Sequence, residues 1–277
     1  MRVTGKEQDS KMKCTTDQLE IVFSMTRDEI IGEPSYTKSS NLGVVQFRHN
    51  YDQQILSHVA QKAQELRYTI AKKRQLNLKY IRGSHLHIPE INELVNAPGR
   101  LARLSEIAAV ELEIYPLSII SSIITFQDAD SEGSIVWHTD GIPITEMVPL
   151  AIDGLVGGEL ELYLGSSEVG LARLYEAHEE ISDSKLVRVK HQLGFSILGQ
   201  LMRLMHRVNP VTHGSRMTLN MNLRSAKRPF IDDNTMCYLA ADNPELEWQS
   251  EYFEDVRSRQ LPRYLAAQAE HAHRKPA

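Results

Sequence analysis

The fold of this sequence can be inferred from two segments, W-H-T-D-G at residues 137–141 and H-R-V-N-P-V at residues 206–211, the second continuing to R-M-T at 216–218. His138 and Asp140 are two residues apart, and side chains at i and i+2 of an extended strand point to the same face. An imidazole and a carboxylate on one face can contact the same metal ion. Because the second segment supplies another imidazole, the sequence predicts a metal site with three protein ligands.

Two histidines compete for the third ligand position. His213 lies three residues before Arg216 in a Thr-His-Gly-Ser turn, whereas His206 lies ten residues before it in an alternating, strand-like segment. A strand fixes a ligand better than a turn does, which favours His206. Two histidines and one carboxylate form the facial set of non-haem Fe(II) sites, which leaves other positions open. Arg216 and Thr218, at i and i+2, are suited to binding a carboxylate, because a guanidinium does so in a bidentate manner.

The ordered array H-x-D, a distant H-R-V-x-P-V and R-x-[S/T] resembles the Fe(II)- and 2-oxoglutarate-dependent dioxygenase superfamily, with a match that runs from about residue 119 to residue 224. In that family 2-oxoglutarate and O₂ occupy the remaining iron positions. The resemblance implies that His138, Asp140 and His206 hold iron and that Arg216 and Thr218 hold the far carboxylate of 2-oxoglutarate. It also implies oxidative decarboxylation of 2-oxoglutarate coupled to hydroxylation of an unactivated C–H bond.

The same motifs also resemble a bacterial group of hydroxylases and halogenases that act on free amino acids, which implies a small amino acid or a derivative as substrate. Related halogenases have Gly or Ala where this chain has Asp140, so the resemblance implies hydroxylation rather than halogenation. Ile119, Ile120 and Ile135 are apolar and argue against recognition of a cationic side chain. Two alternatives stay open: desaturation, cyclisation or epoxidation at the same site, and a jelly-roll protein that binds metal or ligand without turnover.

Composition sets the broad class. The net charge of −5 over 277 residues argues against a nucleic-acid surface, which would be basic. Cys14 and Cys237 are the only cysteines, so no disulfide framework is expected and a reducing cytoplasm fits. The sequence has no apolar run of about eighteen residues, so a membrane span is not predicted. We therefore expect a cytoplasmic protein with a small-molecule partner, and the sequence leaves a homodimer open.

The strand and helix patterns predict one α+β domain over residues 1–277, with a double-stranded β-helix (jelly roll, cupin-like) core. The core covers residues 117–225, residues 46–112 are N-terminal helices that pack on the sheet, and residues 226–277 are a C-terminal loop and helix. Helices are predicted over 51–74, 100–112, 171–181 and 249–272, and residues 32–45 are predicted to form a loop. The eight predicted strands cover 118–125, 134–140, 145–152, 157–164, 186–191, 194–198, 202–208 and 216–224.

The last predicted strand alternates polar and apolar residues. Arg216, Thr218, Asn220, Asn222 and Arg224 share one face, and methionines and leucines share the other. The polar face could be the protein exterior, but a small barrel accepts interior polar groups where it holds a ligand. Asn220 and Asn222 are thus predicted to bind substrate, while the role of Arg224 stays open.

Three further segments were weighed as functional candidates. H-x-H at residues 85–87 has no third partner at ligand spacing and is interpreted as structural. Glu159 and Glu161 share a strand face without an evident basic partner and are interpreted as solvated. Residues 32–43 and 232–243 are candidates to close over a substrate.

Overall fold

The computed structural model describes residues 20–32, 40–73, 78–129 and 135–274. Its strands form two antiparallel sheets. In chain order the strands are β1 (Ile21–Thr26), β2 (Leu42–Arg48), β3 (Lys72–Lys73), β4 (Lys79–Arg82), β5 (Leu112–Ile114), β6 (Ser122–Asp128), β7 (Ile135–His138), β8 (Ile144–Val156), β9 (Leu160–Tyr163), β10 (Leu186–Val189), β11 (Phe195–Gly199), β12 (His206–Val208) and β13 (His213–Ser225).

The large sheet has the order β1-β2-β11-β8-β13-β6-β4-β3, with β5 also paired to β13, and the small sheet has the order β10-β9-β12-β7. Apolar side chains of β8 and β11 pack against those of β9 and β10 between the sheets. Two facing antiparallel sheets with flanking helices confirm the predicted α+β fold with a jelly-roll core.

Helices pack on the large sheet, and one helix packs on strands of the small sheet. They are α1 (Arg27–Ile31), α2 (Gln53–Leu66), α3 (Ser84–His87), α4 (Ile91–Val95), α5 (Arg100–Ala108), α6 (Ser118–Ser121), α7 (Ser167–Tyr175), α8 (Met236–Asp242), α9 (Gln249–Asp255) and α10 (Leu261–Arg274). The buried face of α2 packs on β6, β8 and β13. Met217, Leu219 and Met221 of β13 face this helix layer, which confirms the predicted apolar face of the strand.

The N-terminal third contributes more strands than predicted. Residues 42–45 were predicted as loop, but β2 is buried and pairs with both β1 and β11. Gly43 suits this position because a Cβ there would overlap the backbone of Met25 and the side chain of Ile30. Strands β3 and β4 also lie inside the range that was predicted to hold helices packing on the sheet. That region therefore forms part of the large sheet as well as covering it.

Several predicted boundaries were also wrong. The helix predicted over 51–74 ends at Leu66, and the one over 100–112 ends at Ala108, because Ala109 takes a left-handed conformation before β5 begins. The strand predicted from 118 begins with the helical turn α6. The strand predicted from 202 begins only at His206.

The C-terminal region is more helical than predicted. Residues 226–248 were predicted as loop but contain α8, and the predicted last helix consists of α9, a π-helical turn (Val256–Gln260) and α10. Arg224 connects this region to the sheet, because its Nη1 and Nη2 donate to Asp255 at 2.6 and 2.5 Å and its Nε donates to Glu113 at 2.9 Å. Its role is therefore structural. None of the helices in the described ranges has the length and hydropathy of a membrane span.

Some predictions fall outside the described residues. They concern Cys14, residue 134 at the start of the second predicted strand, and residues 33–39 of the predicted loop and substrate-closing segment.

Candidate metal centre and ligand cavity

The three predicted metal ligands come together on the small sheet. His138 ends β7, His206 begins β12, and the two are direct cross-strand partners. Asp140 lies two residues past the end of β7 rather than within it, and its N–H donates to the carbonyl of Leu201 at 3.2 Å. One carboxylate oxygen, Oδ1, is 3.4 Å from Nε2 of His138 and 3.7 Å from Nε2 of His206.

This group is compact enough to hold one ion, because one ligand atom from each residue lies within 4.8 Å of the others. Within the described ranges, no other set of three His, Cys, Asp or Glu side chains is arranged in this way. The H-x-H segment at 85–87 is not part of such a group. His213 is exposed at the start of β13 and lies away from the three candidate ligands.

Both imidazoles are oriented by their own backbone. Nδ1 of His138 donates to the carbonyl of Val136 at 2.7 Å, and Nδ1 of His206 donates to the carbonyl of Leu204 at 2.9 Å. A carbonyl can only accept, so each Nδ1 carries the proton and each Nε2 presents a lone pair. Such a hydrogen bond from the distal nitrogen is the usual way in which a metal-binding histidine is held.

The protonation states of two of the three residues suit a divalent cation. Burial, together with the neighbouring His138, lowers the pKa of His206 to about 4, so its ring is neutral. Burial would raise the pKa of Asp140, but the two nearby imidazoles hold it below its ordinary value. A neutral imidazole and an ionised carboxylate are the forms that bind metal. For His138, burial is outweighed by the Asp140 carboxylate and the pKa is raised, so a cation would have to displace a proton there.

A charged network on the outer face of the small sheet links the strands that carry the ligands. Glu161 of β9 is fully buried and accepts hydrogen bonds from Nε of Arg188 on β10 at 2.7 Å and Nε of Arg207 on β12 at 2.6 Å. The Arg207 guanidinium in turn lies 4.8 Å from the ring centre of Trp137 on β7. The solvated interpretation of Glu161 was wrong. The network fixes the spacing of the two ligand strands, because Trp137 and Arg207 directly adjoin the ligand histidines.

The candidate metal ligands open into a cavity of about 170 Å³ between the sheets. Arg216 lines this cavity from the large sheet and is buried; its Nη1 donates to the carbonyl of Gly158 at 2.5 Å, and its Nη2 donates to Gln127. Gly157 and Gly158 both have positive φ, which turns that carbonyl toward the guanidinium. Burial lowers the pKa of Arg216 to about 9, and Arg216 forms no ion pair with any residue that the structure describes.

Two polar atoms of the cavity wall near Arg216 have no hydrogen-bond partner among the residues that the structure describes. They are Oγ1 of Thr218 and Nδ1 of His191, and both are buried. Burial and the charge of Arg216 lower the pKa of His191 well below its ordinary value, so His191 is neutral and can donate one hydrogen bond. A buried cation without a carboxylate, beside an unpaired hydroxyl and imidazole, fits an anionic ligand such as a carboxylate.

The two asparagines of β13 differ in what they already bind. Asn222 accepts from the hydroxyl of Thr145 at 2.9 Å and donates to the carbonyl of Ile120 at 2.5 Å, so its amide is used within the protein. Asn220 is half-buried and lines the same cavity, and its side chain makes no hydrogen bond with the described residues. Asn220 is therefore the better candidate for contact with a ligand.

Sequence reasoning missed several polar residues of the cavity wall. They are Arg82 on β4, His191 just after β10, and Asn234, Tyr238 and Asp242 in or near α8. The segment 232–243 was a candidate to cover the substrate, and residues of it do line the cavity. Arg82 and His191 carried no such signal, because neither belongs to a spaced motif.

The chain matches no protein-family model, and no curated protein matches it. It is similar in structure to the non-haem α-ketoglutarate-dependent carbocyclase SnoK from nogalamycin biosynthesis, with 17% identity, a TM-score of 0.51, and coverage of 66% of this chain and 80% of that one. The epimerase SnoN of the same biosynthesis is 14% identical, with a TM-score of 0.50 and coverage of 67% of this chain and 78% of that one. AviO1 from Streptomyces viridochromogenes Tue57 is 13% identical, with a TM-score of 0.51 and coverage of 66% of this chain and 90% of that one. At these identities the likeness shows a shared fold.

Proposed function

We propose that this protein is an Fe(II)- and 2-oxoglutarate-dependent oxygenase that hydroxylates an unactivated C–H bond of a small metabolite. The observation that carries the proposal is one cavity with two kinds of site in its wall. One is a His, Asp, His group, and the other, on the facing sheet, is a buried arginine that has no anionic partner among the described residues. The facial ligand set suits Fe(II) and leaves coordination positions open. SnoK and SnoN, which share the fold, are themselves α-ketoglutarate-dependent.

Each residue then has a defined task. His138, Asp140 and His206 hold the metal, and Arg216 with Thr218 and His191 binds the far carboxylate of 2-oxoglutarate. When bound, iron and 2-oxoglutarate supply the means of using O₂ to oxidise a C–H bond, with release of succinate and CO₂. The remaining wall is largely apolar, which excludes water and strengthens the polar contacts inside.

The proposed substrate is a free amino acid or a derivative of one. Ile120, Ile123 and Ile135 line the cavity, and they suit a substrate with a hydrocarbon side chain better than one with a charged side chain. Asp140 keeps the third ligand position filled, which favours hydroxylation over halogenation. Because the fold is shared with a carbocyclase and an epimerase, cyclisation and other outcomes at the same site are the second candidate.

The test is anaerobic loading of the protein with Fe(II) and 2-oxoglutarate, followed by O₂ and a panel of free amino acids. We expect one or more compounds to stimulate succinate formation and to gain one oxygen atom by mass spectrometry. Loss of two hydrogen atoms would instead indicate desaturation or ring closure. Iron binding without succinate from any compound would contradict the proposal and favour a protein that binds metal without turnover.

Replacing Arg216 with Met is expected to weaken 2-oxoglutarate binding by about 100-fold, because hydrogen bonds to a charged group contribute about 1.5–3 kcal/mol each. The melting temperature of the ligand-free protein should change little. The variant no longer has the desolvation cost of a buried cation, and this gain offsets the loss of the hydrogen bonds to Gly158 and Gln127. Calorimetric titration of the Fe(II)-loaded protein under anaerobic conditions measures the affinity.

The control for this variant is Arg173→Met, which removes an exposed arginine outside the cavity. This control should bind 2-oxoglutarate as the unmodified protein does. If Arg216→Met also does so, the dicarboxylate is held elsewhere.

A further inference from the structure

The cavity contains an ion pair that the proposed iron and 2-oxoglutarate sites do not use. Arg82, at the end of β4, and Asp242, at the end of α8, form an ion pair in the cavity wall. Their side chains are only 19% and 7% exposed. They are 160 residues apart in sequence, and both lie outside the predicted core. The two charges are therefore brought together by the fold at a ligand-binding surface.

The pair shares its cavity with the candidate metal ligands. Arg82 and Asp242 line the same cavity as His138, Asp140 and His206. Tyr238, one turn before Asp242 on α8, also lines it. A molecule bound by the pair would therefore occupy the cavity into which the candidate metal site opens.

Part of the wall that the pair shares is apolar. Leu78, Tyr80 and Ile135 pack together in the same wall, with Ile123 and Val208 against them. Burying an ion pair among such side chains adds little or nothing to stability, because the desolvation penalty offsets the attraction. A structural role alone is thus a weak explanation for the pair.

The segment that carries Asp242 is also held without it. Asn234, just before α8, donates from Nδ2 to the Tyr115 hydroxyl at 3.1 Å, and that hydroxyl donates to Asp232 at 2.6 Å. Asn234 also lies against Gly141, where a Cβ would overlap its amide. Leu239 of α8 is buried in an apolar cluster. These contacts place α8 over the cavity independently of the ion pair.

We propose that Arg82 and Asp242 bind a zwitterionic substrate, the guanidinium its carboxylate and the carboxylate its ammonium group, while the apolar wall accommodates its hydrocarbon part. This inference rests on the proposed function and specifies its substrate class: an α-amino acid with an apolar side chain, or a small metabolite with the same two charges. Binding exchanges one ion pair within the protein for two between protein and ligand.

Selectivity follows from the same exchange. A ligand that lacks its positive charge offers Asp242 no replacement for the Arg82 contact that it displaces, and one that lacks its negative charge offers Arg82 no replacement for Asp242. Sites that leave a buried polar group unpaired with the wrong ligand discriminate more strongly than sites that only lose an apolar contact. We therefore expect the protein to reject N-acetylated and carboxamide forms of an amino acid that it accepts.

The experiment compares leucine, isoleucine, valine and methionine with their N-acetyl and carboxamide derivatives. Binding is read from the thermal shift of the anaerobic protein loaded with Fe(II) and 2-oxoglutarate, and turnover is read from succinate formation. We expect at least one free amino acid to bind about 100-fold or more tightly than either of its derivatives. Equal shifts for all three forms, or no shift with any free amino acid, would overturn the inference.

Variants assign the two charges separately. Asp242→Asn should weaken binding of the free amino acid and remove the discrimination against its N-acetyl form. Arg82→Gln should also weaken binding of the free amino acid, and it should remove the discrimination against the carboxamide form. Both variants should keep 2-oxoglutarate affinity. Arg67→Gln and Asp128→Asn are matched controls, because that Arg–Asp pair is similarly buried on the large sheet but lies outside the cavity. If the Arg82 and Asp242 variants keep full discrimination, the inference is wrong.

The binding and turnover measurements separate this inference from the proposed function. Succinate formation with equal response to charged and uncharged forms would leave the oxygenase in place and remove the zwitterion site. Selective binding of free amino acids without succinate would support the charge pair and contradict the oxygenase. The comparison of ligands on the unmodified protein still tests the charge pair if a variant fails to fold.

Discussion

Asp140→Ala is expected to lower succinate formation by about 10³-fold or more. The variant removes the only carboxylate of the proposed metal site, and metal-ion catalysis supplies several kcal/mol, with each factor of ten in rate equal to about 1.4 kcal/mol. Stability should be largely unaffected, because the Asp140 carboxylate is partly exposed and lies against the two candidate ligand histidines. Succinate formation with saturating Fe(II), and Fe(II) affinity by titration, measure the effect.

The control for Asp140 is Asp153→Ala, since Asp153 is an exposed carboxylate on the large sheet. That variant should form succinate at the unmodified rate. His206→Ala should match Asp140→Ala, because both remove one of three ligands. If Asp140→Ala keeps both Fe(II) affinity and turnover, these side chains do not hold the metal.

The local part of the candidate site could be read from sequence because spacing determines it. His138 and Asp140 are close by covalent connection, and His206 and Arg216 are joined by one strand and one turn. Alternation along β13 then sets which side chains face the cavity. These arguments need only the period of a strand. They predicted that His138, Asp140 and His206 come together and which face of β13 lines the cavity.

Other parts of the site depend on contacts between distant segments. Arg82 and Asp242 meet only because β4 pairs with β6 and α8 packs over the same end of the cavity. His191, just after β10 of the small sheet, lines the same cavity as Arg216 of the large sheet only because the two sheets pack together. Glu161 was interpreted as solvated because its two arginine partners come from the neighbouring strands β10 and β12. No sequence spacing reports such pairings.

The same limit explains the missed strand β2. Its sequence follows a stretch rich in Gly, Ser and Pro, and that local composition indicates a loop. Its position between β1 and β11 is set by pairing with β11, which is about 150 residues later in the chain. Tertiary pairing therefore overrode local composition.

Glu146→Ala is expected to lower the free energy of unfolding by about 3–5 kcal/mol, the usual cost of removing one partner of a buried ion pair. Glu146 is fully buried on β8 and accepts from Tyr51 at 2.8 Å, Ser196 at 2.9 Å and Nε of Arg100 at 2.9 Å. Its loss leaves the Arg100 guanidinium buried without a carboxylate. Denaturant unfolding followed by circular dichroism measures the change.

The replacement of both partners separates the ion pair from simple packing. Glu146→Met combined with Arg100→Leu leaves no unpaired charge and should recover most of the stability that Glu146→Ala loses. Glu65→Ala is the control, because its pair with Lys62 is exposed and should matter little. Neighbours Thr145 and Met147 line the cavity while Glu146 points to the opposite side, so 2-oxoglutarate affinity should be unchanged in folded protein. A variant that kept full stability but lost that affinity would mean that Glu146 acts on the site and not on the fold.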